Sequence, residues 1–271
     1  MWPLGLQILL GEATAPPRVR EAPSRPEPGP SDWLTLNDLT RSTVLRHLAR
    51  IAPPPVPQTG PGHRHNGLSA EAAWALCAHA MRRAFPGLAE EVNRTEAQTP
   101  KCVQPRADKH PKAFTYNLGH DRLPFVSLHY RDRPRDLLVM AHEFGHALQI
   151  VASAPLRTGQ MPPIARECCA FLAELALIRH CSAGRSDLSA AHAADTAVYF
   201  GADRLRLQHA LQGARTPYRY DWNYPLARRR AADLMAQGTP KVLCALYRAG
   251  AEGGRQLNRD VHALGLEACA A

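Results

Sequence analysis

His142, Glu143 and His146 stand together as His-Glu-x-x-His within RDLLVMAHEFGHALQIVAS, residues 135–153. On a helix, residues four apart differ by about 40° in azimuth and about 6 Å in rise. Both imidazoles then reach one ion from the same face, as a tetrahedral zinc site requires. Glu143, beside the first histidine, points to the open position, where a carboxylate takes a proton from water. With 13 His and 12 Glu in 271 residues, chance produces this pattern about 0.03 times. The surrounding residues, from Leu137 and Leu138 through Phe144 to Leu148 and Val151, make the helix apolar nearly all round and therefore buried. Polar groups there cost several kcal/mol each without partners, and one cation accounts for all three. Gly145 costs about 1 kcal/mol relative to Ala in a helix interior, which implies that another backbone or a substrate passes close to it.

A third ligand is needed. PPIARECCAFLAELALIRHCS, residues 162–182, reads as a second apolar helix opened by Pro162 and Pro163, and its only acidic residues are Glu167 and Glu174. Seven apart, they share a stripe to within about 20°. Lone carboxylates on a buried face would be driven to protonate. Glu167 follows His146 by 21 residues, enough for a loop and an antiparallel return, and is the expected third ligand. Glu174, two turns on, is expected to orient a ligand histidine from behind. The implied cofactor is one Zn2+.

These helices need a frame. Ser69 caps an expected helix ending near Pro86-Gly87, and a polar stretch follows it. AFTYNLG and PFVSLHY alternate like two short strands separated by a turn at residues 119–121. Beyond Pro134 the chain reads as helix, interrupted near 182–184, 213, 238–240 and 250–254. Asp136 suits the N-terminal dipole of the motif helix. Upstream, residues 16–30 and 52–62 are too rich in proline for regular structure. They flank one expected helix with a stripe from Trp33 to Leu48. The chain therefore divides into a proline-rich N-terminal arm with one helix, residues 1–62, and a mainly α body with a small β element, residues 63–271. The arm is expected to dock on the body or on a protein partner.

PFVSLHYRDRPRDLLVMAHEFGHALQ together with RECCAFLAE resembles the active-site region of the thimet-type oligopeptidases and oligoendopeptidase F, over roughly residues 112–265. The resemblance implies a gluzincin-like helical metallopeptidase catalytic domain, with the small β element beside the HExxH helix. It also implies zinc-dependent hydrolysis of peptide bonds in short peptides. TPYRYDWNYPLA, residues 216–227, is similar to the family's tyrosine-rich stretch, which supplies a phenol to the tetrahedral intermediate. Tyr220 matches that phenol, with Tyr218 and Tyr224 as alternatives. The strand from Phe125 to Tyr130 is expected to pair with an extended peptide. Gln149 stands where the family pattern has its last histidine, and the family's additional N-terminal half is represented here only by the helical arm. The alternative reading is a catalytically weak, metal-containing binding or regulatory module derived from such a peptidase.

Composition excludes other classes. No apolar run approaches the ~18–20 residues that span a bilayer. The formal net charge of +9 is carried by 29 Arg and 4 Lys in short clusters such as 82–83, 131–135 and 228–230. Without a basic tail, this pattern argues against nucleic acid as a partner. Seven cysteines with no CxxC pair fit a reduced, cytoplasmic setting.

Overall fold

The computed structural model describes residues 4–10, 28–52, 65–119, 122–154, 160–213 and 216–263. It is mainly helical with one small sheet, as expected. In chain order the helices are α1 (Leu4–Leu9), α2 (Pro30–Leu36), α3 (Arg41–Ala49), α4 (Ala70–Ala84) and α5 (Ala89–Gln98). After strands β1 (Lys101–Cys102), β2 (Phe114–Tyr116) and β3 (Phe125–Ser127) come α6 (Pro134–Ser153), α7 (Pro163–His180), α8 (Ser186–Val198), α9 (Arg204–Gln212), α10 (Tyr224–Gln237), α11 (Pro240–Arg248) and α12 (Gly253–Ala263). A five-residue π-helical segment, Tyr199–Asp203, joins α8 to α9. No described helix is long and apolar enough to cross a membrane.

The core is built on α6 and α7, with α4 and α10 packed against α7. Leu137, Leu138, Met140, Phe144 and Leu148 of α6 are at most 1% exposed, and each contributes about 2 kcal/mol relative to an exposed position. Gly145 is where the two helices touch. A Cβ there would lie 2.8 Å from Ala170 Cα and 2.8 Å from Ala173 Cβ, so the close-passing backbone is that of α7. Asp136 accepts from the amides of Arg131 and Arg133 at 2.8 and 3.2 Å. It thereby closes the loop leading into α6, the N-terminal role expected of it.

Three local readings change. The single helix expected over residues 31–51 is two, α2 and α3, because the chain turns at Asn37 and Asp38, the latter with φ of 53°. The polar stretch after Pro86 is helical, since Leu88, Val92 and Thr95 recur at helical spacing and are buried. The sheet has order β1-β3-β2, with β1 parallel and β2 antiparallel to β3. The strand expected to receive a peptide, β3, thus has both edges occupied, and the outer edges belong to β1 and β2, of which β2 lines the cleft.

Residues 28–52 of the expected arm lie against the body. Trp33, Val44, Leu48 and Ile51 join the main core, and the Trp33 indole donates to Asn223 at 2.8 Å. The buried Asn37 side chain accepts from the amide of Ile164 at 2.9 Å, which satisfies an orphan donor in the first turn of α7. Helix α1 packs Leu6 and Leu10 on Phe125 of the sheet. Most of both proline-rich stretches, residues 16–27 and 53–62, lies outside the described residues.

Candidate metal centre and cleft

Helix α6 presents His142 and His146 on one face, their rings 4.8 Å apart. His142 Nε2 is 3.2 Å from Glu167 Oε2, and His146 Nε2 is 3.5 Å from Glu167 Oε1. His142 also meets Glu174 further along α7, so α6 and α7 run antiparallel. One ligand atom from each of His142, His146 and Glu167 can be chosen such that all three lie within 4.8 Å of one another. Yet Glu167 Oε2, although buried, has no hydrogen-bond partner. Two imidazole nitrogens and a 2%-exposed carboxylate therefore converge without satisfying one another. That donor set, two nitrogens and one oxygen, fits a catalytic zinc ion with an open fourth position.

The electrostatics point the same way. Burial works against a charged His142, but Glu167 and Glu174 outweigh it and hold the pKa well above the ordinary histidine value. Burial likewise works against a charged Glu167, but His146 and His142 hold that carboxyl well below the usual range. The cluster favours positive charge where the imidazoles meet, which a cation supplies without protonating either ring.

Behind His142 stands a buried ionic chain. His142 Nδ1 is 2.7 Å from Glu174 Oε1, and the Arg228 guanidinium donates to the other Glu174 oxygen. Arg228 also donates to Thr196 Oγ1 at 2.9 Å and to the carbonyl of His192 at 3.1 Å, and lies over the Phe171 ring. Burial raises the Glu174 pKa, yet Arg228 and His142 bring it down to about 2. Arg228 and Arg230 are only 2% and 3% exposed, so two of the three arginines at 228–230 are interior groups rather than a surface patch.

Glu143 is oriented from the sheet. Thr115 of β2 donates to Glu143 Oε2 at 2.7 Å, and Glu143 is 5% exposed. Tyr220 sits in a short 3₁₀ turn, Tyr220–Asn223, before α10. Its hydroxyl donates to Glu167 Oε1 and accepts from Arg166 Nη2, the latter at 2.7 Å. Desolvation and the Glu167 charge push the Tyr220 pKa far up, so the phenol stays protonated. Tyr218 is engaged elsewhere, accepting from Asn223 at 2.9 Å, while the Tyr224 ring meets that of Tyr220 edge-on, with centroids 5.9 Å apart.

His142, Glu143, His146, Glu167, Thr115, Arg166, Tyr220 and Tyr224 line a cleft of about 460 Å³, whose other walls include Phe114, Tyr116, Gln149 and Met161. Sequence reasoning missed Thr115, Arg166 and Arg228. Only Arg166 carried a local signal, as the neighbour of the expected ligand glutamate.

No protein-family profile matches the chain, and no curated protein matches it. Solved structures do. A protein from Bacillus anthracis provisionally designated an oligoendopeptidase F aligns over 87% of this chain and 54% of its own, with a TM-score of 0.64 and 13% identity. One from Chlamydophila abortus, provisionally designated a peptidase, aligns over 87% of this chain and 55% of its own, with a TM-score of 0.53 and 13% identity. The chain shares their fold. It spans about half the length of the structures it matches.

Proposed function

We propose that this chain is a zinc-dependent metallopeptidase that hydrolyses peptide bonds, chiefly in short peptides. The observation that carries this reading is the convergence of His142, His146 and Glu167 beside a separately oriented Glu143 in an open cleft. His142, His146 and Glu167 would hold the cation, which when bound supplies a Lewis acid and lowers the pKa of water. Glu174, braced by Arg228, keeps the His142 ring in place and fixes its tautomer. Thr115 aims the Glu143 carboxylate. Glu143 takes the proton from the attacking water and returns it to the leaving amine. The Tyr220 phenol, a protonated donor at the cleft wall, hydrogen-bonds the oxygen on which charge develops. The outer edge of β2, whose residues Phe114, Thr115 and Tyr116 line the cleft, offers main-chain hydrogen bonds to an extended peptide of many sequences.

The test is hydrolysis of a mixed pool of short peptides by zinc-loaded wild type and Glu143→Gln, with metal content measured in both. Equal zinc in the two proteins, with turnover reduced about 10²–10⁴-fold in the variant, is the expected result. Equal turnover would remove Glu143 as the base. Zinc binding without turnover in wild type would favour the binding or regulatory module.

A further inference from the structure

Beside the centre, the cleft contains a cation that the chemistry above does not use. Arg166 precedes Glu167 on α7 and lines the cleft. Its guanidinium has five N–H donors, yet its side chain makes one hydrogen bond among the described residues, from Nη2 to Tyr220 Oη. The ring of Tyr220 lies beneath it, 5.6 Å from the guanidinium carbon. No described carboxylate forms an ion pair with it, although the Glu167 charge attracts it, whereas Arg228 pairs with Glu174 and Arg206 with Asp203 and Asp221. An arginine anchored through one nitrogen to the Tyr220 hydroxyl, with most of its donors uncommitted, can offer the rest to a planar anion. The acids of the cleft wall, Glu143 and Glu167, are balanced once a divalent cation is bound, which leaves Arg166 as the net charge.

We propose that Arg166 is a specificity-determining residue that binds a carboxylate of the substrate, so that the cleft selects short peptides bearing a negative charge close to the cleaved bond. This rests on the peptidase reading above. Its reach follows from the contacts. Arg166 Nη2 is 2.7 Å from the Tyr220 hydroxyl, which itself touches Glu167, so the guanidinium lies within about 7 Å of the centre, or about two residues of extended chain. At that distance the carboxylate is either the free C-terminus of the peptide or an Asp or Glu side chain one or two positions from the scissile bond.

The experiment measures binding, so that it stands apart from turnover. Zinc-loaded Glu143→Gln protein is titrated with one short fluorescent peptide in three forms: free C-terminal acid, C-terminal amide, and amide with Glu at the penultimate position. The free acid binding at least about tenfold tighter than the plain amide, with that difference lost in Arg166→Gln and partly kept in Arg166→Lys, supports the proposal and assigns the α-carboxylate. The Glu-containing amide behaving this way instead supports it and assigns a side-chain carboxylate. All three forms binding equally, none binding, or a preference that survives in Arg166→Gln would overturn it. Zinc content is measured in each variant, and if Arg166→Gln loses zinc the decision passes to Arg166→Lys, whose unchanged preference for acid over amide relative to wild type would count against bidentate recognition. A preference for the acid without any hydrolysis by the Glu143-containing protein leaves Arg166 in its role and removes the peptidase reading alone.

Discussion

Replacing Gly145 by Ala tests whether the packing of two helices sets the geometry of the centre. The new Cβ would fall 2.8 Å from Ala170 Cα, 2.8 Å from Ala173 Cβ and 3.0 Å from the Cys169 carbonyl oxygen. Carbon atoms in ordinary contact are about 3.5–4.0 Å apart, so α6 and α7 must separate locally by roughly 0.7 Å. Nothing among these three atoms can rotate aside, because two belong to backbone and the third is an alanine methyl. Tyr247 restrains α7 further, its hydroxyl donating to the same Cys169 carbonyl at 2.6 Å. Overpacking costs about 1–3 kcal/mol, of which the better helix propensity of Ala offsets about 1 kcal/mol. The larger effect falls on the cation. Gly145 lies one residue before His146, a proposed ligand, and metal–ligand distances tolerate about ±0.2 Å. Zinc affinity should therefore drop roughly 10–100-fold, the range seen when support of a ligand is lost. Competition against a chromophoric chelator measures this, with thermal melting in chelator as the companion measurement. A Gly145→Ala protein that binds zinc as tightly as wild type and melts at the same or a higher temperature would refute the reasoning.

Two further outcomes follow from the ionic chain behind the centre. Arg228→Leu leaves the Glu174 carboxylate, which is 6% exposed, with His142 as its remaining ionic partner, and should cost about 3 kcal/mol, the low end for a broken buried pair, in denaturant unfolding of the zinc-free protein. Adding Glu174→Gln should recover part of that loss, and no recovery would show that the cost is not electrostatic. His192 has its pKa lowered to about 4, by burial first and then by Arg228, with Glu174 acting in the opposite direction. The folded protein therefore keeps this ring neutral at pH values where the unfolded chain, near its ordinary ~6.5, already binds a proton. Its contribution to stability is present above ~6.5 and is lost as pH falls towards 4. The difference in urea midpoint between wild type and His192→Gln should shrink or invert over that window, and a difference independent of pH would contradict it.

The core of the site was legible because it is local. A helix fixes the relation of positions i, i+4 and i+7 wherever it lies, so His142 with His146, and Glu167 with Glu174, could be placed on common faces before any packing was known. The apolar surroundings of both segments already implied burial, and Gly145 already implied a close neighbour. The caps and breaks at Ser69, Asp136 and Gly238 to Pro240 were equally local, being matters of backbone donors and of proline chemistry.

What stayed hidden depends on contacts between distant parts of the chain. Glu143 takes its aim from Thr115, 28 residues earlier, and Glu174 its counter-charge from Arg228, 54 residues later. No periodicity encodes either pairing. Which strand lies in the middle of the sheet was decided by the order β1-β3-β2, because strands of two or three residues carry too short a pattern to specify partners. The buried state of Arg228 could not be read from charge, since an arginine is soluble in a core only where a carboxylate and carbonyls happen to meet it. Sequence determined which groups share a helix face; tertiary structure decided which groups meet across helices, because short-range geometry is set by bond rotation and long-range geometry by how whole surfaces pack.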